Sequence, residues 1–304
     1  MTEVPDVSII IVNYNSSKVL SGCLESIISM TKGLYYEVII IDNDSEPDLE
    51  ERLISLIPEI CYQSFKFIYL KENIGFGKAC NVGLEMAKGR NVLFLNPDII
   101  LLGNSIKILS DFLDSHPEAG ACGGNLYDKD RKPEFSYLSF LPGFFTEFNE
   151  LLHLIPEKLI FGRSSRHNYN QEAKEVKFSS GADLMVKKNV IEKTGGFSDR
   201  FFMYYEDTDL CKRIIESGKK IYNVPSAKFI HLVSHSVSGC PEGEERKIRW
   251  IEGSRKIYYN RNLDSFKGSL ANFFYLLFLI SRKRFSREKA RQEYYRKRLK
   301  YFRG

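Results

Sequence analysis

Val7-Ser8-Ile9-Ile10-Ile11-Val12-Asn13 is an apolar, mostly β-branched run that stops at an asparagine. A strand with one wet face alternates apolar and polar residues. An unbroken run instead argues for burial on both faces, as in a parallel strand covered by helices. The chain then repeats the unit. Ser16 or Ser17 can cap a helix whose Leu20, Leu24, Ile27 and Ile28 share one face. Val38-Ile39-Ile40-Ile41 is a second run and ends in Asp42-Asn43-Asp44-Ser45. Leu49, Leu53 and Leu56 keep helical spacing, and Phe65 to Leu70 reads as a third strand. A helix from about Phe76 to Lys88 leads to Val92-Leu93-Phe94-Leu95, which breaks at Asn96-Pro97-Asp98. This alternation predicts an α/β fold: a Rossmann-like, mostly parallel central sheet with helices on both faces.

Further along, order weakens from about Tyr127 to Lys177, where short helices or a flap are expected around Leu141–Phe145 and Leu151–Phe161. It returns at Phe178 to Val186. A helix is expected to start near Glu206, with Leu210, Ile214 and Ile215 inward and Gly218 ending it. The sequence divides into a main domain, residues 1–264, and a C-terminal helical tail, residues 265–304. Leu270 to Ile280 is too short an apolar run to span a bilayer, which takes ~20 residues. From Arg282 to Arg303 eleven Lys/Arg face two Glu, so the net +5 of the chain is a tail of +9 on a body of −4. The tail reads equally well as a membrane-surface anchor on anionic headgroups or as core-packing and solvated helices. A charge confined to the tail gives the body no nucleic-acid groove.

The 304 residues are 43% hydrophobic, which excludes a disordered chain. Six scattered cysteines, none in a C-x-x-C pair, speak against a disulfide framework or structural zinc and fit a reducing compartment. Met1 to Asp6 lacks the features of a signal peptide, so a cytoplasmic protein is expected, in peripheral contact with the inner face of the cell membrane if the tail anchors it.

In open α/β sheets ligands bind beyond the carboxyl ends of the strands. Here those ends carry Asn13-Tyr14-Asn15, Asp42-Asn43-Asp44, Lys71-Glu72-Asn73 and Asn96-Pro97-Asp98. The turn after the first strand has no glycine, and Gly75-Phe76-Gly77 comes too late for a dinucleotide fingerprint. A P-loop, an H-E-x-x-H pair and a G-x-S-x-G elbow are all missing. Asp98 can hold a divalent ion bridging two phosphates, although Asn-Pro-Asp is also a common turn. Glu206, Asp207 and Asp209 exceed what capping one helix needs and suit a pocket wall holding a general base. His231 and His235 follow a strand-like Lys228-Phe229-Ile230.

The order and spacing of Val7–Asn15, Asp42-Asn43-Asp44-Ser45, Asn73-Ile74-Gly75-Phe76-Gly77 with Asn81 and Gly83, Leu95-Asn96-Pro97-Asp98, Gly195-Gly196-Phe197 and Tyr205 to Leu210 resemble family 2 glycosyltransferases, nearest their rhamnosyltransferase branch, over residues 5 to 262. The resemblance implies a glycosyltransferase-A fold and inverting transfer from a nucleotide-diphosphate sugar. By the same resemblance Asn13, Asn15, Asp42, Asn43, Asn73, Gly75, Phe76 and Asn96 would form the donor site. Asp98 and His231 (or His235 in its place) would hold Mg²⁺ or Mn²⁺, with Asn96 where the family's motif has its first acid. Asp207 would be the catalytic base, and Gly195, Gly196, Tyr205 and Glu206 would meet the acceptor. The expected reaction moves L-rhamnose from dTDP-rhamnose to a glycan or lipid-linked acceptor in surface-polysaccharide synthesis. The alternatives are a UDP-sugar donor (hexose, N-acetylhexosamine or galactofuranose) and a non-catalytic sugar-binding scaffold. A nucleotidyltransferase would need a glycine-rich basic loop where Asn13 to Ser17 stands.

Overall fold

The computed structural model describes residues 4–45, 49, 53, 64–232 and 241–303. Strands β1 (Val7–Asn13), β2 (Tyr36–Asn43), β3 (Phe65–Leu70) and β4 (Asn91–Leu95) lie side by side in the order β3-β2-β1-β4, all parallel. Alternate residues of β1 enter opposite layers. Ile9 and Ile11 pack with Leu20, Leu24 and Ile27 of α1 (Ser17–Met30), whereas Ile10 and Val12 pack with Ala79 and Cys80 of α2 (Phe76–Met86). Both faces are thus covered, which is why the strand reads as one apolar run. Ser16 stands at the N-cap of α1 but does not cap it, because its hydroxyl donates to the Tyr14 carbonyl at 2.9 Å. Of the predicted helix after β2, Leu49 and Leu53 are helical and buried, and Leu56 lies outside the described residues.

The second half of the sheet is mixed. β10 (Asp183–Lys187) inserts antiparallel between β4 and β6 (Ala119–Tyr127), with Asp183 opposite Leu95. β11 (Lys220–His231) runs parallel to β6 with an irregularity between Asn223 and Lys228. The short β5 (Ile99–Leu101) turns straight back after Asp98 and pairs with β11, placing His231 opposite Ile99. That pairing is what carries a histidine 133 positions away to the Asn96-Pro97-Asp98 turn. Between β5 and β6 runs α3 (Ser105–Ser115). β8 (Lys174–Val176) pairs with β11, and β7 (Tyr137–Leu138) with β9 (Phe178–Ser179).

The irregular middle forms two short helices, α4 (Phe144–Leu151) and α5 (Ile155–Phe161). Then come α6 (Lys188–Thr194) and α7 (Glu206–Glu216), the latter with Leu210 and Ile214 fully buried. The C-terminal helices are α8 (Pro241–Asn262), α9 (Ser265–Phe285) and α10 (Lys289–Arg303). Ala271, Tyr275 and Leu279 of α9 face inward, while Phe266, Phe273, Leu277 and Ile280 are exposed. No helix of the described residues is long and apolar enough to cross a membrane. Cys23, Cys80, Cys122 and Cys211 are free and buried; Cys61 and Cys240 lie outside the described residues.

Candidate active site

The parallel register brings Asn13 level with Asp42, and their side chains meet: Asn13 Nδ2 donates to Asp42 Oδ1 at 2.7 Å and to Ser45 Oγ at 2.9 Å. One residue on, Asn43 Nδ2 donates to Asn73 Oδ1 at 2.9 Å, and Asn43 Oδ1 accepts the Ile74 N–H at 3.0 Å. Asn13, Asp42 and Asn43 are all buried, so these bonds hold a rigid polar floor at the sheet edge. Asn15 and Asp44 follow with positive φ, 52° and 65°, and Asn15 is exposed above that floor. Asn and Asp tolerate this region because their short polar side chains bond locally.

Gly75 has φ 88°, and a Cβ there would lie 2.3 Å from the Phe202 carbonyl oxygen. Only glycine fits. Phe76 N–H donates to that same carbonyl at 3.0 Å, and its ring packs edge-on against Phe197. Gly75 and Phe76 therefore fasten the start of α2 to the 201–205 stretch, a role their residue types did not announce.

Asp98 is buried. Its carboxylate Oδ1 lies 3.5 Å from His231 Nε2, and on the other side His231 Nδ1 lies 3.7 Å from Glu134 Oε2. Burial works to lower the His231 pKa, yet Asp98, Glu134 and Asp183 together raise it above its ordinary value. Asp183 is fully buried, accepts the Gly124 N–H at 2.6 Å and leaves Oδ1 without a partner. Burial pushes its carboxyl up to about 7 against the pull of Gly124 and His231. Neither Glu134 nor Asp183 emerged as a site residue from the sequence. An acid inside an otherwise buried strand was the available signal for Asp183; Glu134 gave none.

A carboxylate oxygen facing an imidazole nitrogen supplies two donors that suit Mg²⁺ or Mn²⁺. Among the described residues no group of three His, Cys, Asp or Glu could hold a metal. A cation here would take its other ligands from phosphate oxygens and water, the usual arrangement at a nucleotide. His235 lies outside the described residues.

Asp207 sits half-buried in the first turn of α7, where the helix dipole favours a negative charge. Its Oδ1 accepts the Thr208 N–H at 2.7 Å and its Oδ2 the Gly181 N–H at 3.2 Å. Burial raises its pKa, opposed by those two N–H groups. Glu206 is buried beside it with Oε2 unpartnered, and burial together with the Asp207 charge raises its pKa as well. The next residue along from Gly181 completes a link, since the Ala182 carbonyl accepts the Asn96 N–H at 3.0 Å. Asp207 and the Asp98 turn are thus anchored to adjacent residues of one loop.

Tyr204 and Tyr205 enter α7 with φ 70° and 66°. Non-glycine residues held so store of order 1–3 kcal/mol each, and such strain clusters at functional sites. Tyr205, expected at the acceptor, is partly exposed and packs its ring against Tyr258 and Tyr259 of α8, with centroids 5.4 and 6.5 Å away. Phe201 is fully buried, whereas Phe202, Met203, Tyr204 and Tyr205 keep partial exposure. Gly195 and Gly196 likewise serve the fold. Gly195, φ 80°, ends α6, and at Gly196, φ 68°, a Cβ would lie 2.6 Å from Asn81 Oδ1. Asn81 in turn clamps Phe197 by two 2.8 Å bonds.

Residues 8–194 match the model of the family described as glycosyl transferase family 2. The N-acetylglucosaminyl-diphospho-decaprenol L-rhamnosyltransferase of Mycobacterium tuberculosis is 27% identical over 259 residues, 79% of this chain and 80% of that one. The rhamnosyltransferase WbbL of Escherichia coli is 25% identical over 281 residues, 85% of this chain and 97% of its own. Among solved structures, a mannosyltransferase from Pyrobaculum calidifontis in complex with GDP-Man and Mn²⁺ superposes with TM-score 0.60 at 15% identity, over 99% of this chain and 86% of that one. That likeness speaks for the fold alone, which is the glycosyltransferase-A fold.

Proposed function

The chain belongs to glycosyl transferase family 2, and from that premise we propose that it transfers L-rhamnose from dTDP-rhamnose, with inversion, to a glycan or lipid-linked acceptor in surface-polysaccharide synthesis. The observation that carries this reading is the shared loop: Gly181 holds Asp207 while Ala182 holds the turn that bears Asp98. A base and a leaving-group site are thereby fixed to one support.

Asp207 takes the proton of an acceptor hydroxyl as that oxygen bonds to the anomeric carbon. The bond from that carbon to the diphosphate breaks on the opposite face, and its electron pair leaves with the nucleoside diphosphate. A divalent cation between Asp98 and His231 would neutralise the charge gathering on the departing phosphates. Asn13, Asp42, Asn43 and Asn73 form the floor on which the nucleoside rests. Glu206, holding its proton, spares the pocket a second negative charge beside the base. For a lipid-linked acceptor we place the chain peripherally on the inner face of the cell membrane.

A thermal-shift panel of dTDP, UDP and GDP, with and without Mn²⁺, tests this on wild type and Asp98→Ala. At a hundredfold excess over Kd a ligand stabilises the native state by about 2.7 kcal/mol. The expected result is a manganese-dependent rise in Tm with dTDP that Asp98→Ala abolishes. A rise with UDP alone would replace rhamnose by a UDP-linked sugar. No rise with any nucleotide would favour the scaffold reading.

A further inference from the structure

Beyond His231 the molecule holds a cavity of about 460 Å³ that neither the donor floor nor the base uses. Its walls are the end of β6, the irregular part of β11 and the loop 167–171. Tyr127, His167 and Tyr169 form a ladder of rings, centroids 5.1 and 5.0 Å apart, and Tyr169 is 55% exposed. The loop is held in place beforehand. Buried Asn125 donates through Nδ2 to the Asn168 carbonyl at 2.7 Å, and Asn168 Oδ1 accepts the Asn170 N–H at 3.0 Å. His167 Nδ1 donates to the Glu134 carbonyl at 3.1 Å, which leaves Nε2 as an acceptor on the neutral ring.

The lining has a definite chemistry. Among the described residues around it stand three rings, four side-chain amides and one cation, Lys228, with no carboxylate. Ring faces cover the C–H face of a pyranose, and the exposed amides of Asn170 and Gln171 offer the paired donors and acceptors that adjacent hydroxyls require, while Asn125 and Asn168 are spent on holding the loop. A phosphate would call for more than one cation. A nucleoside has its expected floor at β1 and β2, separated from β6 by β4 and β10.

The cavity also borders the candidate site. Pro133 lines it, and the neighbouring Glu134 carboxylate faces His231 at 3.7 Å. From these observations we infer that the cavity is a subsite for a sugar residue of the acceptor, one lying away from the reacting hydroxyl. The inference rests on the glycosyltransferase reading for the word acceptor; that a saccharide binds rests on the cavity alone.

The test is saturation-transfer NMR on the full chain with methyl α-L-rhamnoside, methyl N-acetyl-β-D-glucosaminide and methyl β-D-galactoside. At least one is expected to show transfer to its ring protons. Loss of the exposed ring in Tyr169→Ala should weaken binding about three- to tenfold, the scale of one aromatic contact. Gln171→Ala, also exposed, should weaken it too, and its side chain makes no ring contact with buried His167 as Tyr169 does. Saturating dTDP and Mn²⁺ should leave the signal in place. No transfer to any glycoside, or transfer that survives both variants or is displaced by nucleotide, would overturn the subsite. A positive glycoside result with no nucleotide-induced rise in Tm would instead remove the transferase reading and leave the sugar site standing.

Discussion

Glu206 and Asp207 are adjacent acids with different prospects, and their hydrogen bonds say which ionises first. Asp207 is met by two backbone N–H groups, whereas Glu206 Oε2 meets none. Asp207 therefore loses its proton first, above the ordinary aspartate value because it is buried, and Glu206 holds its own longer beside that charge. Activity should fall as pH drops through the raised Asp207 value. Asp207→Asn should cut kcat by ~10²–10⁴ while nucleotide-induced Tm shifts persist. Glu206→Gln, a mimic of the protonated acid, should keep the acid limb of the kcat profile and remove any alkaline limb. Stability follows the same sign. Glu206 binds its proton more tightly folded than unfolded, so native stability falls as pH rises from its ordinary 4.5 through the raised value. Glu206→Gln should flatten that fall in a Tm–pH series, and an unchanged slope would count against the assignment. Asp98 and Asp207 were legible as candidates because acids stood where an apolar strand ended and where a helix began. The fold contacts of Gly195, Gly196 and Tyr205 were not legible, because residue type does not say that a glycine makes room for Asn81 or that a ring packs on α8.

Arg255 ties three helices together. Its guanidinium lies 4.1 Å from the Tyr259 ring centroid and 3.9 Å from that of Tyr275. It donates twice to Glu147 Oε1 on α4, at 3.0 and 2.9 Å, and once to Asn272 Oδ1 on α9 at 2.9 Å. Both ends of the pair are buried, so removing one partner strands the other without water. Arg255→Met should cost about 3–5 kcal/mol, and the double variant with Glu147→Gln should cost much less than the sum of the single changes. Urea midpoints of the four chains check this, and strict additivity would refute the clamp. The consequence reaches the site, since α8 also supports the 201–205 stretch: Ser254 Oγ donates to the Met203 carbonyl at 2.8 Å, and Trp250 packs on Phe202. At this scale the parallel half of the sheet was readable because each strand is buried on both faces. β10 and β5 were not. β10 owes its place to a chain returning from the 127–177 excursion, and β5 has only three residues. Pairings of that kind depend on contacts far apart in sequence, which leave no local period.

The whole molecule is electrically lopsided, and the fold concentrates the excess further. Ion pairs engage Arg291, Arg296, Lys297 and Arg298 of the tail. Among the described residues Arg282, Lys283, Arg284, Arg287 and Lys289, at the corner from α9 to α10, enter no ion pair, and Phe285 stands 74% exposed among them. Up α9 from that corner run the exposed Ile280, Leu277, Phe273 and Phe266, at spacings that keep to one helical face. The two faces of α9 differ: Ala271, Tyr275 and Leu279 pack inward while the other face stays open. An aromatic tip ringed by cations suits an anionic bilayer surface, where each charge is worth about 1 kcal/mol before salt screening. The full chain should co-sediment with phosphatidylglycerol-rich vesicles and not with pure phosphatidylcholine, and the binding should weaken once salt shortens the Debye length below about 8 Å. Lys283→Gln, Arg284→Gln and Arg287→Gln together should weaken it by at least about tenfold, because three such charges are lost. Phe285→Ala should weaken it with less change in its salt dependence, since that residue contributes burial rather than charge. Equal binding to both vesicle types, or none at low salt, would make this corner a solvated basic turn and leave a lipid-linked acceptor to be met by diffusion from the cleft side alone.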